Sequence, residues 1–302
     1  MAILQGPAPR DLRRIGRAVK ELLLIDVVAL VTVGVTAIAP PESREVDVVG
    51  IDYAFQVPRE LPAGPTTFSF RNNGKKRHEF NIFLLKPGVS VTQVLELQKA
   101  GKSAQPLVEG PVGVLFAEPG GKSAAGLSAD LLAGRDYAVI CIFRDTANAP
   151  RHYEMGMYSV IHVLPGKKSP ASVAARLADT IVGSDYAFRY SKTLAPGTHT
   201  FVFRNEGKVR HEFNMVLLKP GITLERVLEV EKTKGDIDAL FDDGIGVLWS
   251  RAGEMPFGRL EVDLLPGREY LIECGFSDDD KSPPHYTLGM YGSIVVSGKP
   301  AS

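Results

Sequence analysis

The sequence predicts an all-β chain: two tandem Greek-key β-sandwiches, each with a short helical insert, behind an N-terminal hydrophobic leader. Three observations predict it. The chain repeats itself without gaps at an offset of 133 residues, as in His78-Glu79-Phe80-Asn81 and His211-Glu212-Phe213-Asn214 (211 − 78 = 133). A period of that size marks a duplicated domain rather than a solenoid repeat. Both copies consist mainly of short β-branched and aromatic runs bounded by turn residues, with one helix-start signal each.

The leader comes first. Arg10, Arg13, Arg14, Arg17 and Lys20 precede an apolar run from Leu22 to Ala39 that ends in Ala37-Ile38-Ala39. A positive flank, an apolar run and a small-residue exit form the order of a secretory signal. Residues 1–45 are therefore assigned to a signal peptide or membrane anchor, and the chain to the periplasm or another extracytoplasmic compartment. Pro40 is a poor first residue after cleavage, and residues 22–39 are just long enough to span a bilayer, so removal and membrane attachment both stay open.

The first domain is expected over 46–164 and the second over 181–298. Other paired segments are Asp52-Tyr53-Ala54-Phe55 with Asp185-Tyr186-Ala187-Phe188, and Gly113-Val114-Leu115 with Gly246-Val247-Leu248. Thr67–Phe70, Tyr137–Phe143 and Ile161–Leu164 read as strands, as do Thr200–Phe203, Tyr270–Phe276 and Ile294–Val296. Asn72-Asn73-Gly74 and Asn205-Glu206-Gly207 supply turns. Ser90-x-x-Gln93 is a capping box ahead of Val94, Leu95 and Leu97, and Thr223 occupies the matching place before Val227 and Leu228. A linker spans 165–180, with a turn-rich opening and an alanine-rich piece, Ala171 to Ala178, that reads as a short helix.

Composition narrows function. Lysine plus arginine equals aspartate plus glutamate at 35 each, so no polyanionic partner and no nucleic acid is indicated. The two cysteines occupy equivalent positions in separate domains, which argues against a disulfide between them. Cys141 instead falls in register with Cys274, His78 with His211, His152 with His285, and Met157 with Met290. One thiolate, two imidazoles and a thioether form a soft ligand set, and a His₂Cys group with a weak axial Met is the pattern of a blue-copper site. Zinc fits less well, because thioether is a poor zinc ligand. Met155 competes with Met157 in the first copy, but Leu288 stands in its place in the second, so Met155 reads as core. Phe80, Phe213, Tyr53, Tyr186 and Trp249 read as core as well. His162 and His199 have no counterpart in the other copy and read as surface residues.

Asn-x-Gly-x-x-x-His over Asn72 to His78, and Cys…His-x-x-x-x-Met followed by Tyr158 and Ile161, resemble the first-ligand motif and C-terminal ligand loop of the cupredoxins, the plastocyanin and azurin superfamily. Cys274 to Met290, with Tyr291 and Ile294 after it, has the same form. The resemblance covers everything beyond leader and linker. It implies two type 1 copper sites per chain, at His78, Cys141, His152 and Met157, and at His211, Cys274, His285 and Met290. It also implies exposed imidazoles at His152 and His285, where electrons enter and leave. Two departures stand out. Ten residues separate each Cys from its following His, and Glu79 and Glu212 stand where plastocyanins carry an asparagine that ties the ligand loop.

The expected function is electron transfer with a redox partner protein. Copper carriage or storage uses the same ligands and stays open. A two-domain oxidoreductase of the nitrite reductase or multicopper oxidase type needs further histidine-bound copper. Here no His-x-His occurs, and Ile140, Ile142, Glu273 and Gly275 flank the cysteines. An apo structural module is the fourth reading, opposed by two intact ligand sets.

Overall fold

A computed structural model describes residues 43–166, 178–279 and 281–298. The expected leader lies outside them except for residues 43–45, and so does the alanine-rich helix except for Ala178. Among the described residues no helix is long and apolar enough to cross a membrane.

The first half contains β1 (Arg44–Ile51), β2 (Ala54–Gln56), β3 (Glu60–Leu61), β4 (Gly64–Asn72), β5 (His78–Leu85), β6 (Val108–Ala117), β7 (Ala125–Leu131), β8 (Asp136–Ile140) and β9 (Tyr158–Val163). The second contains β10 (Asp179–Ser184), β11 (Ala187–Arg189), β12 (Thr193–Leu194), β13 (Gly197–Asn205), β14 (His211–Leu218), β15 (Phe241–Ser250), β16 (Gly258–Leu264), β17 (Glu269–Glu273) and β18 (Tyr291–Val296). The single inserts are α1 (Val91–Lys99) and α2 (Leu224–Lys232). At α1 the Ser90–Gln93 capping box forms in both directions, whereas Thr223 makes no side-chain cap to α2.

Four boundaries shift from expectation. β1 and β10 begin at Arg44 and Asp179, two residues before 46 and 181, because parallel pairing to β4 and β13 already starts there. β8 and β17 stop one residue short of the cysteines, where the chain turns toward the ligand loop.

The two halves share both of their sheets. One sheet runs β11-β10-β13-β16-β7-β4-β1-β2, the other β12-β18-β17-β14-β15-β6-β5-β8-β9-β3. The seams are antiparallel, β7 to β16 and β6 to β15, and each is centred on a residue facing its own repeat. Leu127 pairs with Leu260 (260 − 127 = 133), and Val114 with Val247 (247 − 114 = 133). A pseudo-twofold axis therefore passes through both layers, the arrangement of an isologous dimer. A single buried core crosses the seam, with Phe68, Phe80 and Leu127 from one half and Phe201, Phe213 and Leu260 from the other. Full burial of each such side chain contributes about 1.5–3 kcal/mol. The seam requires glycine at one close approach: a Cβ on Gly246 would lie 2.8 Å from the Val114 carbonyl oxygen and 2.8 Å from Leu260 Cδ2.

Candidate metal centre

β5 and β8 are antiparallel neighbours, with Asn81 opposite Ile140, so His78 at the start of β5 and Cys141 just beyond β8 share one end of the sheet. The ten-residue loop then folds back onto this end. His152 N–H donates to Phe143 O (2.9 Å) and Tyr153 N–H to Cys141 O (3.0 Å), which closes the loop as a hairpin. His152 opens a 3₁₀ turn ending at Gly156, whose φ of +111° is left-handed backbone suited to glycine. Met157 is tied to two of the candidate ligands: its N–H donates to His152 O (2.9 Å) and its carbonyl accepts from Cys141 N–H (3.1 Å). The second copy repeats these bonds from His285, Tyr286, Cys274 and Met290, with Gly289 at φ +107°.

His78, Cys141 and His152 converge, as do His211, Cys274 and His285, with all six side chains buried and each set of ligand atoms within 4.8 Å of one another. In the first site Nδ1 of His78 lies 2.9 Å from Nδ1 of His152, and Cys141 Sγ lies 3.4 Å from His152 Nδ1 and 4.0 Å from His78 Nδ1. In the second the Nδ1 atoms are 3.0 Å apart, with Cys274 Sγ 3.4 and 3.8 Å from them. Met157 and Met290 are fully buried. Gly50 and Gly183 leave them room, since a Cβ there would meet the methionine methyl at 3.3 and 3.1 Å.

The outer nitrogens settle which ring atom carries the proton. His78 Nε2 lies 2.9 Å from Asp52 Oδ1, His152 Nε2 3.2 Å from Asp145 Oδ1, and His285 Nε2 3.1 Å from Asp278 Oδ1. A carboxylate accepts only, so Nε2 donates and Nδ1 keeps its lone pair. Two lone pairs facing each other at 2.9 Å repel unless a cation lies between them. His211 differs: Asp185 is 3.6 Å away, and among the described residues its Nε2 has no hydrogen-bond partner.

Electrostatics favour the same occupant. Burial, with Glu79 nearby, pushes the Cys141 thiol up to about 12, and burial pushes Cys274 to about 12 as well. Burial also lowers His152 and His211. In each site the thiol thus holds a proton that a metal would displace. Glu79 N–H points at Cys141 Sγ at 3.5 Å and Glu212 N–H at Cys274 Sγ at 3.4 Å, each placed to stabilise a thiolate. The Glu79 carboxylate accepts from Ile142 N–H and that of Glu212 from Gly275 N–H, both at 2.9 Å. Glutamate here ties the first-histidine strand to the residue after cysteine. Burial raises both glutamates to about 7.

Several expectations are corrected. His152 and His285 are 0% and 1% exposed, not exposed imidazoles. Tyr53 and Tyr186 cover them edge-on, at 5.0 and 5.1 Å between ring centroids, and donate to Asp145 and Asp278 (2.9 and 2.8 Å). The two tyrosines are therefore half-buried lids rather than core. Met155 is 36% exposed, outside the core and outside the ligand cluster. Trp249 is only half-buried, against Phe83 and Phe276. Phe80 and Phe213 are core, and both cysteines are free. His162 and His199 pair with Asp136 (2.6 Å) and Asp179 (2.7 Å), away from both clusters. Sequence reasoning missed the aspartates, although Asp145 and Asp278 stand at the same offset within loops that otherwise share only Phe143 with Phe276 and Pro150 with Pro283.

The chain matches no protein-family profile and no curated protein. Among solved structures, the dithionite-reduced auracyanin of the photosynthetic bacterium Roseiflexus castenholzii is 20% identical over 41% of this chain and 100% of its own, with a TM-score of 0.29. Auracyanin A of Chloroflexus aurantiacus, a "blue" copper protein, is 20% identical over 40% of this chain and 99% of its own, at 0.27. Copper nitrite reductase of Nitrosomonas europaea is 12% identical over 86% of this chain and 96% of its own, at 0.25.

Proposed function

We propose that the chain is an exported copper protein with two type 1 sites, at His78, Cys141, His152 and Met157 and at His211, Cys274, His285 and Met290, and that it passes electrons to and from a redox partner protein. The observation that carries this reading is the double convergence of one buried sulfur and two facing Nδ1 atoms. Copper bound there would supply a one-electron couple, held by a thiolate and thioether suited to Cu(I) and imidazoles suited to both oxidation states. The residues of the chain do the rest. Asp52, Asp145 and Asp278 fix the imidazole tautomer, as carboxylates do behind metal-bound histidines. Glu79 and Glu212 hold the cysteine strand in place, and burial keeps water from the ligands.

With His152 and His285 covered, electrons would pass through the Tyr53 and Tyr186 rings rather than an open imidazole edge. The same cover favours a second reading, copper carriage. Titration of the purified chain with Cu(II), followed by visible and EPR spectra, tests the sites: an intense thiolate-to-copper band saturating at about two equivalents supports them. A colourless product, or preference for zinc, refutes them. Reversible one-electron cycling without copper loss then separates electron transfer from carriage.

A further inference from the structure

The pseudo-twofold axis generates two clefts between the halves, and their chemistry has diverged. The cleft on the α1 side encloses about 290 Å³. Its walls carry Phe83 from β5 with Trp249 and Phe276 from the other half, and Asn81, Gln98 and Arg210 face into it. The matching cleft near α2 has Phe116 where the first has Trp249 and Asp238 where it has Gln105, and it adds Asp242, Asp243 and Glu273.

Three features of the first cleft point to a ligand. Asn81 is 4% exposed, yet its Oδ1 has no hydrogen-bond partner among the described residues, and neither does Gln98 Oε1. Buried acceptors of this kind are costly when left unpaired. Arg210 stacks on Phe276 (3.9 Å to the ring centroid) and Trp249 (6.0 Å), with no hydrogen bond or salt bridge among the described residues. Its counterpart Arg77 is paired to Glu118 at 3.0 Å. Among the described residues the first cleft thus offers an unpaired guanidinium, two acceptors without donors and aromatic walls.

We propose that this cleft binds a small aromatic carboxylate bearing a hydroxyl or amino group, with the carboxylate on Arg210, the ring against Trp249 and Phe83, and the donor on Asn81 Oδ1. Guanidinium matches carboxylate geometry in a bidentate pair, and the cleft is at the small end of the range for ligand sites. None of its groups is itself a metal ligand, although Arg210 precedes His211 and Phe276 O accepts from His285 N–H.

Trp249 is the single tryptophan of the chain, so its emission reports the cleft directly. The full chain is titrated with 4-hydroxyphenylacetate and followed by tryptophan fluorescence and calorimetry. One molecule should bind per chain, with a dissociation constant below about 1 mM. Phenylacetate, which lacks the donor, and 4-methylphenol, which lacks the carboxylate, should each bind about tenfold more weakly, the loss of one hydrogen bond to a buried or charged partner. Arg210→Gln and Asn81→Leu should weaken binding similarly, and the comparison of the three compounds on the unaltered chain decides the matter should the buried Asn81 variant fail to fold. No saturable signal up to about 10 mM, roughly tenfold above the expected limit, would overturn the proposal. Wild-type affinity in both variants, or equal binding of all three compounds, would overturn it too.

Discussion

Replacing Asp145 with alanine should split the two metal sites in affinity. The carboxylate accepts from His152 Nε2 at 3.2 Å and from the Tyr53 hydroxyl at 2.9 Å, so its loss frees the imidazole and its lid together. A hydrogen bond to a charged group contributes about 1.5–3 kcal/mol. Here the distance is at the long end of the N–H···O range, and the Asp145 side chain is 22% exposed, so water competes and the lower end applies. That end, about 1.5–2 kcal/mol, corresponds to roughly 10–30-fold in metal affinity, within the range found for carboxylates behind metal-bound histidines. Asp278 remains intact and serves as the internal control. Competition against a copper chelator, read by the visible band, should resolve one site of wild-type affinity and one weakened. If both sites still titrate together at wild-type affinity, Asp145 does not orient His152 and the tautomer assignment is wrong.

Cys274→Ser should remove half of the visible absorption and half of the bound copper and leave the first site unchanged, as distant sites behave independently; loss of all colour would show the sites to be interdependent. Gly246→Ala drives a Cβ to 2.8 Å from a backbone oxygen at the seam, and should destabilise the chain by about 1–3 kcal/mol, with Tm falling about 2–4 °C for each kcal/mol. An unchanged Tm would mean that the seam is not packed this closely. Asp243 is raised, chiefly by burial and then by the nearby charges of Glu118 and Asp242. Its folded form therefore holds a proton more tightly than the unfolded chain, and that stabilisation is complete below the ordinary carboxylate range and lost as pH rises through the raised value. Asp243→Asn should accordingly stabilise the protein at neutral pH, with the gain shrinking in acid; denaturant unfolding at both pH values checks the sign.

Much of this molecule was legible in its sequence, because a duplication is its own alignment. The ungapped offset exposed the register of the paired His, Cys and Met residues, and the Ser90-x-x-Gln93 box located the start of α1. Illegible were features that depend on how the loop closes. Ten residues between Cys141 and His152 set no geometry on their own; the hairpin bonds from His152 to Phe143 and from Tyr153 to Cys141 do. Those bonds bring Asp145 behind the imidazole and Tyr53 over it, so the histidine expected to be open is covered. The seam was hidden for another reason. No strand was read from the sequence over β6 or β7, and nothing in a single strand's pattern says whether its neighbour comes from the same copy.

Antiparallel joining across the axis also fixes how far apart the two clusters lie. His78 is opposite Ala117, three residues from the seam pair at Val114, and His211 is opposite Ser250, three residues from Val247 on the other side. Six residues of rise along the strands and three strand spacings across them put the histidines roughly 25 Å apart, pointing toward opposite ends of the molecule. A half-chain released from its twin would bare β6 and β7 as open edges whose pairing register is self-complementary. Such a fragment should recruit a second copy of itself, rebuilding from two short chains what the duplication welded into one.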